Sequence, residues 1–565
     1  MEIDNIIRKL ALKNAIDYKG TANPKSLIGK VMGAHPEWRE KRGELTNKIE
    51  IIVSEVNKLS VDEQRAELEK DAPEMLEKKK KEDRDMFSFM GITQGDKIIT
   101  AFPPGPEKYP HIGHAKALLL NHMLAKQFGG KFILRFEDTN PNLVQGIFYD
   151  IMQENFKDLE VEWDELQYAS DNMELFYEMC EKVIKSRDAY VCNCDVEKIR
   201  LSRENGEPCD CRERGTPENL EMWNKMKADL PKGHAIVRLK IDLKHKNTTM
   251  RDPTIFRIIE EEHARHGKKY RVWPNYDFQN SIMDGKFGVT HRLRSKEFEL
   301  RSELQRYIQN LLGFIPTTTT FEFGRFNLVG VQSSGRAIRE GIERGELVGW
   351  DDPSLTTLVA LKRRGFLPEA IKNFVISTGI SKAEATMTWD DLIIHNKRLL
   401  DDASNRYFFV KDPVEIRIED APEQEVEMNL HPTHRKGGRK LSCSTDYYIT
   451  GNDHAAIEEG KLYRLMDCLN FRKNAETFRF DSKDVSEYKK EGKKILHWLP
   501  KSDALVDVEV MMPDKKVETG LAEPSVNGVK EGEVIQFERF GFCRLDKREK
   551  TEEGKDRLVF WYTHK

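Results

Sequence analysis

One stretch limits the fold more than any other. IITAF (98–102) runs into FPPGPEKYP (102–110), then HIGHAKALLLNHMLAKQFGG (111–130), then KFILRF (131–136). The first segment is continuously apolar and short, as a buried strand is. The second carries four prolines in nine residues, which remove N–H donors and fix φ, so it cannot be helical. The third reads as a helix closed by Gly129 and Gly130, and the fourth as another strand. Strand, loop, helix, strand is one βαβ unit. It demands a parallel sheet with its ligand at the strands' carboxyl ends.

The helix begins Pro110-His111-Ile112-Gly113-His114. Two imidazoles three residues apart project from one face of its first turn. Beside them lie unpaired N–H groups and the positive end of the helix dipole, which favour an anion such as phosphate. Gly113 leaves room for a flat base or phosphate to approach the backbone. The plainer reading is a helix start with two surface histidines. The strand, Pro/Gly loop and returning strand around it favour the phosphate site.

Residues 1–96 read as a charged helical extension, with Ile3, Ile6, Ile7, Leu10, Leu12 and Ile16 near helical spacing. LEKKKKEDRD (76–85) reads as a solvated helix face, since its acidic neighbours nearly cancel its charge. Segments 97–190 and 271–349 form the two halves of the α/β domain, and 191–270 is an insertion. YDFQNSIMDG (276–285) and GVTHRLRSKEFEL (288–300) read as strand-rich. Residues 350–404 are helical. From 405 to 565 short alternating segments such as LVDVEVMMP (505–513) and RLVFWY (557–562) predict β-barrels.

Within the insertion, Cys192-Asn193-Cys194 and Cys209-Asp210-Cys211 enclose fourteen residues. Four thiolates suit a tetrahedral structural zinc, with no position open for catalysis; the alternative is four free buried thiols. Eight cysteines in 565 residues are too few for a disulfide-stapled secreted protein. The N-terminus carries no apolar run of signal-peptide length, and no stretch is apolar enough to span a bilayer. The expectation is a cytoplasmic protein without a membrane partner, acting as a monomer. Lys plus Arg number 92 against 96 Asp plus Glu, a formal charge of −4. Bulk charge therefore cannot hold nucleic acid; local basic patches must.

Five passages in order, FPPGPEKYPHIGHAKALLLN, LRFEDTNP, KYRVWPNYDF, VTHRLRSKEFEL and IQFERFGF, resemble the archaeal/eukaryotic type of glutamyl-tRNA synthetase, a class I aminoacyl-tRNA synthetase. The resemblance runs from about 97 to the C-terminus. It implies a multidomain α/β plus β chain: a Rossmann-type catalytic domain with an inserted acceptor-stem-binding domain, a helical stem-contact domain and C-terminal antiparallel β-barrels that bind the anticodon. It implies glutamate, ATP with Mg²⁺, and tRNA(Glu) as substrates, with tRNA(Gln) as a further acceptor in some members. Glutamate is activated to glutamyl-adenylate, usually only with tRNA bound, and passed to the terminal 2′-hydroxyl.

By the same resemblance Pro103, Gly105, His111, Gly113 and His114 contact ATP, with both histidines on its phosphates. VQSSGRAIREGI (331–342) stands where the family has its mobile KMSKS loop. It contains no lysine; Ser333, Ser334, Gly335 and Arg336 match the pattern, and Arg336 is the cation assigned to the transition state. The plainer reading is a basic helix start whose arginines are solvated. Glu137 resembles the carboxylate facing the substrate ammonium, Tyr276 the substrate-lining tyrosine, and Arg294 the arginine that pairs with the glutamate side chain. The family arginine before FPP is Ala101 here, with Arg135 or Arg294 as the nearest substitutes, and SIMDG (281–285) departs from the family's acidic pair. The zinc site lies in the insertion, as the family often has it. HRKGGRK (434–440) offers Arg435, Lys436, Arg439 and Lys440 to tRNA phosphates. Three other readings stay open: a glutaminyl-tRNA synthetase, a silent tRNA-binding paralogue, and a nucleotidyltransferase of small metabolites.

Overall fold

The computed structural model describes residues 2–17, 20–24, 26–28, 31, 41–72, 75, 85–332, 334–551 and 554–565. The chain divides into two compact units, Met1–Ser88 and Phe89–Lys565. In the first, helices Glu2–Asp17, Arg42–Val56 and Val61–Asp71 bury Ile7, Leu12, Leu45, Ile49, Val53 and Leu68 against one another. The third helix opens with a capping box, Ser60 and Glu63 each accepting the other's backbone N–H. Most of the charged run at 76–85 lies outside the described residues.

The second unit is built on five parallel strands. β1 (Ile99–Phe102), β2 (Lys131–Phe136) and β3 (Glu165–Tyr168) come first in the chain. The chain then leaves for a four-stranded antiparallel sheet, β4 (Ala189–Cys192), β5 (Ile236–Leu239), β6 (Thr254–Ile258) and β7 (Val272–Pro274), in sequence order. It returns to add β8 (His291–Ser295) and β9 (Thr319–Phe323) on the far side of β1, giving the order β3-β2-β1-β8-β9. β1 and all of β2 beyond Lys131 are buried, as continuous apolar runs require. The order reverses between β1 and β8, so a crevice must open beyond the carboxyl ends of those two strands.

Residues 276–285 are a helix rather than strand. Tyr276–Phe287 buries Phe278, Ile282 and Met283 on one face and ends at Gly288, whose φ of 66° favours glycine. Only Tyr276-Asp277-Phe278-Gln279 alternates; Phe278 and Ile282 stand four apart on one helical face, in the same cluster as Phe256 and Trp273. Helices Leu358–Arg363, Pro368–Thr378 and Trp389–Ala403 lead to the C-terminal region.

That region contains two seven-stranded sheets. In one, the end strands Arg406–Tyr407 and Phe409–Lys411 are consecutive in the chain; in the other, Gly492–Leu496 and Leu499–Pro500 are. A single segment bent at its middle therefore joins the two edges of each sheet, closing both into barrels. Most pairs are antiparallel, but four are parallel, among them Val506–Met511 with Asp556–His564. Each barrel has its own core, one around Tyr447, Phe471 and Trp498, the other around Val510, Phe537 and Phe560.

Candidate active site

The crevice predicted by the strand order is a cleft of about 690 Å³. The loop after β1 (Phe102–Gly105), the helix start (His111, Gly113, His114), Arg292–Ser295 of β8, Tyr276, and Val331, Gln332 and Ser334 all line it. It thus gathers Pro103, Gly105, His111, Gly113, His114, Tyr276, Arg294 and Ser334 from four separate stretches of sequence. Ser333 lies outside the described residues.

The histidine pair is set by hydrogen bonds. His111 is the N-cap of helix Ile112–Gln127, and its Nδ1 accepts the Gly113 N–H at 3.0 Å. The His111 N–H donates in turn to His114 Nδ1 at 3.1 Å. Both Nδ1 atoms are acceptors, so the ring protons must sit on Nε2. Burial, helped by the charge of Lys108, lowers the His111 pKa to about 4 and holds that of His114 well below its usual value. The result is two neutral rings, 4.1 Å apart, each with one N–H to give. Gly113 is required by the cap itself, because a Cβ there would stand 2.7 Å from His111 Cε1.

The cleft wall at β8 carries Arg292 and Arg294, both on one face because strand side chains alternate. Arg292 is ion-paired with Asp284 and bonded to Asn280. Asp284 also takes Arg135 Nη2 at 2.8 Å, and Arg135 Nε reaches Glu137 at 3.0 Å. Arg294 differs. Its Nη groups donate to two neutral acceptors, Gln305 Oε1 at 2.8 Å and Ser302 Oγ at 2.6 Å. It is 6% exposed, and burial pulls its pKa down. Among the described residues no anion is in hydrogen-bond contact with this buried guanidinium, and a carboxylate would match its charge and geometry.

Glu137 follows β2. Its Oε1 accepts from Arg135 and from Asn280 at 3.1 Å, while buried Oε2 has no hydrogen-bond partner among the described residues. Burial raises its pKa against the pull of Arg135. Ala101 sits in an apolar cluster with Ile99, Ile133 and Val289. Arg135 is fully buried, engaged by its two carboxylates, and absent from the cleft wall.

Segment 331–342 lies against the helix-start loop: a Cβ at Gly335 would stand 2.7 Å from Lys108 Cδ. The two segments therefore share one crevice. Arg336, however, is 85% exposed and ion-paired with Glu340 at 2.7 Å, so it does not line the cleft. Sequence reasoning passed over Arg292, Lys108 and Lys116. The alternation in THRLRS was signal enough for Arg292. Lys116 is buried inside the helix, donates to the Gly324 carbonyl at 3.2 Å, and has its pKa lowered to about 8 by burial.

In the insertion, the Sγ atoms of Cys192, Cys194, Cys209 and Cys211 all lie within 4.8 Å of one another. Cys192–Cys209 and Cys194–Cys211 are 3.9 and 3.8 Å apart. A tetrahedron with ~2.3 Å zinc–sulfur bonds has edges of roughly 3.8 Å, so the donor set fits the metal.

The basic segment at 434–440 needs a correction. Arg439 is 1% exposed and paired with Glu523 at 2.6 Å and Glu538 at 2.7 Å, so it belongs to the core rather than to a surface that nucleic acid reaches. Lys436 and Lys440 are exposed, Lys440 pairing with Glu425 at 3.1 Å; Arg435 is half-buried and donates to the Ala403 carbonyl.

Three domain families match the chain. The catalytic domain of the class I tRNA synthetases (E and Q) matches residues 97–402, and two anti-codon binding domains of that group match 404–490 and 495–546. Similar curated proteins include the glutamate–tRNA ligases of Pyrococcus furiosus (40% identical), Pyrococcus abyssi (41%) and Methanothermobacter thermautotrophicus (38%). Each alignment covers 100% of both chains.

Proposed function

Since the chain belongs to the class I (E and Q) tRNA synthetases, we propose that it is a glutamate–tRNA ligase, activating glutamate with ATP and transferring it to tRNA(Glu). The observation that carries the choice of glutamate is Arg294, a buried cation on the cleft wall whose direct partners are all neutral. A side-chain carboxylate satisfies it; the amide of glutamine would leave the charge uncompensated.

ATP occupies the cleft with its phosphates over the helix start. The Nε2–H groups of His111 and His114 donate to phosphate oxygens, with Pro103, Gly105 and Gly113 forming the surface beneath. Ser334 and Gly335 border the triphosphate from the facing segment. Arg336 reaches it only by leaving Glu340, an exposed pair worth little. Tyr276 packs against the bound amino acid, and Glu137, buried and off the cleft wall, lends its negative charge to the ammonium group. The α-carboxylate then attacks the α-phosphorus; the bond to the bridging oxygen breaks and pyrophosphate leaves with that electron pair. The ribose hydroxyl of tRNA attacks the activated carbonyl and displaces AMP. No protein nucleophile is needed, so the rate comes from positioning and charge stabilisation. Among the described residues Glu297 is the single carboxylate on the cleft wall; Mg²⁺, carried on the triphosphate, would neutralise phosphate charge there.

Cys192, Cys194, Cys209 and Cys211 would hold a structural zinc, which would fix the loops of the insertion, the part assigned to the acceptor stem. The barrels take the anticodon side, and Arg435, Lys436 and Lys440 contact tRNA phosphates.

The test is charging of purified tRNA(Glu) and tRNA(Gln) with labelled glutamate or glutamine. Glutamate on tRNA(Glu) is expected. Preferential charging with glutamine, or tRNA binding without glutamate-dependent pyrophosphate exchange, would overturn the reading.

A further inference from the structure

The cleft wall carries five cations, Lys108, Lys116, Arg292, Arg294 and Arg325. Four have partners: Arg292 has Asp284, Arg294 has Gln305 and Ser302, Arg325 has Glu297 at 2.9 Å, and Lys116 has the Gly324 carbonyl. Lys108 has neither a hydrogen bond nor an ion pair among the described residues. It is half-buried, and desolvation depresses its pKa against the weak pull of Glu107. A partly desolvated ammonium without a counter-ion costs energy in the free protein, and an arriving polyanion offsets that cost.

Its position matters as much as its charge. Lys108 comes three residues before His111, and its field is felt by both imidazoles. Its stem runs across the Cα of Gly335, filling the space that any side chain there would take. The adjoining helix is anchored to the same loop, with Arg339 Nη1 donating to the Glu107 carbonyl at 3.4 Å. The one cation at the start of that helix, Arg336, faces solvent. The ammonium between the histidines and segment 331–342 therefore comes from the Pro/Gly loop.

We propose that Lys108 binds the ATP triphosphate and stabilises the charge that develops as glutamate attacks the α-phosphorus. The inference rests on the proposed adenylation. In that step the new bond joins a glutamate carboxylate oxygen to phosphorus, the bond to pyrophosphate breaks with its electron pair, and Lys108 stays protonated, donating to phosphate oxygens throughout. Gly335 is the counterpart of this arrangement, since Lys108 and a side chain at 335 compete for one volume.

The experiment uses the full chain with tRNA(Glu) present. Glutamate-dependent pyrophosphate exchange is followed in wild type, Lys108→Ala, Lys108→Arg and the double variant Lys108→Ala/Gly335→Lys, with a melting curve for each. Lys108→Ala should lose about 100-fold in kcat with little change in the KM for glutamate or in melting, and Lys108→Arg should recover most of it. Gly335→Lys should restore at least ~10-fold in the Lys108→Ala background, where its stem has room, and impair the wild type, where it does not. Calorimetric titration with a non-hydrolysable ATP analogue reads Lys108 without glutamate, and binding should weaken about tenfold in Lys108→Ala. Exchange and analogue binding by Lys108→Ala both within about threefold of wild type would overturn the assignment. Wild type that binds the analogue through Lys108 yet shows no glutamate-dependent exchange would support the triphosphate contact, while overturning both the transition-state role and the glutamate reading on which it rests.

Discussion

Replacing Arg294 by glutamine separates two costs that usually travel together. The side chain is 6% exposed and donates to Gln305 at 2.8 Å and Ser302 at 2.6 Å, both neutral. Losing those donors costs about 1 kcal/mol each, and removing a desolvated charge with no anion in direct contact returns a similar amount. Stability should therefore change by no more than about 1–2 kcal/mol. The substrate loses far more. A charged, partly desolvated pair is worth roughly 2–5 kcal/mol when one partner is truncated, which is about 30-fold to several thousandfold in kcat/KM at 1.4 kcal/mol per decade. A glutamine side chain, making only neutral hydrogen bonds, should lose about tenfold or less. Steady-state charging of tRNA(Glu) with each labelled amino acid, beside melting curves of both proteins, measures all three quantities. The reasoning is refuted if glutamate kcat/KM stays within about threefold of wild type, or if glutamate and glutamine fall by the same factor.

Arg292→Gln should behave oppositely: it strips Asp284 of one of its two arginines inside the core, so melting should drop by several degrees, and an unchanged melting curve would contradict the network described. Arg439→Ala leaves buried Glu523 without its guanidinium and should cost about 3–5 kcal/mol in denaturant unfolding; a stable variant whose only defect is a flatter salt dependence of tRNA binding would return Arg439 to the surface. Purified protein should hold about one zinc per chain by elemental analysis, lowered by Cys209→Ser, and metal-free protein with normal melting would remove zinc from the account. The His111 pKa falls from 6.5 to about 4 on folding, so the unfolded chain takes the proton first as pH drops. That contribution is complete above about 6.5 and lost progressively toward 4. His497 and His564, also buried, act in the same direction, so the difference between wild type and His111→Asn isolates it; identical melting-versus-pH curves for the two would count against a neutral His111.

Local chemistry was legible along the chain. The βαβ unit, the histidine-capped helix start and the paired CxC segments each depend on residues close in sequence, where periodicity and turn chemistry act. The helix at 276–287 was not, because its opening Tyr276-Asp277-Phe278-Gln279 alternates like a strand and the face shared by Phe278 and Ile282 is settled by packing in the cluster with Phe256 and Trp273. Arg439 was misread for a related reason. A basic run looks solvated until the fold brings Glu523, 84 residues away, to its guanidinium.

The sequence by itself determined the parallel sheet, the place of the cleft at its carboxyl ends and the chemical types gathered there, because strand, loop and helix propensities act over a few residues. The tertiary structure alone decided which charges in that cleft are spoken for. Arg135 and Asp284 meet across 149 positions, Arg294 has neutral hydrogen-bond partners, and Lys108 has none among the described residues. Whether a charge is neutralised depends on what lies within a few ångströms of it, and that distance is set only when distant segments pack.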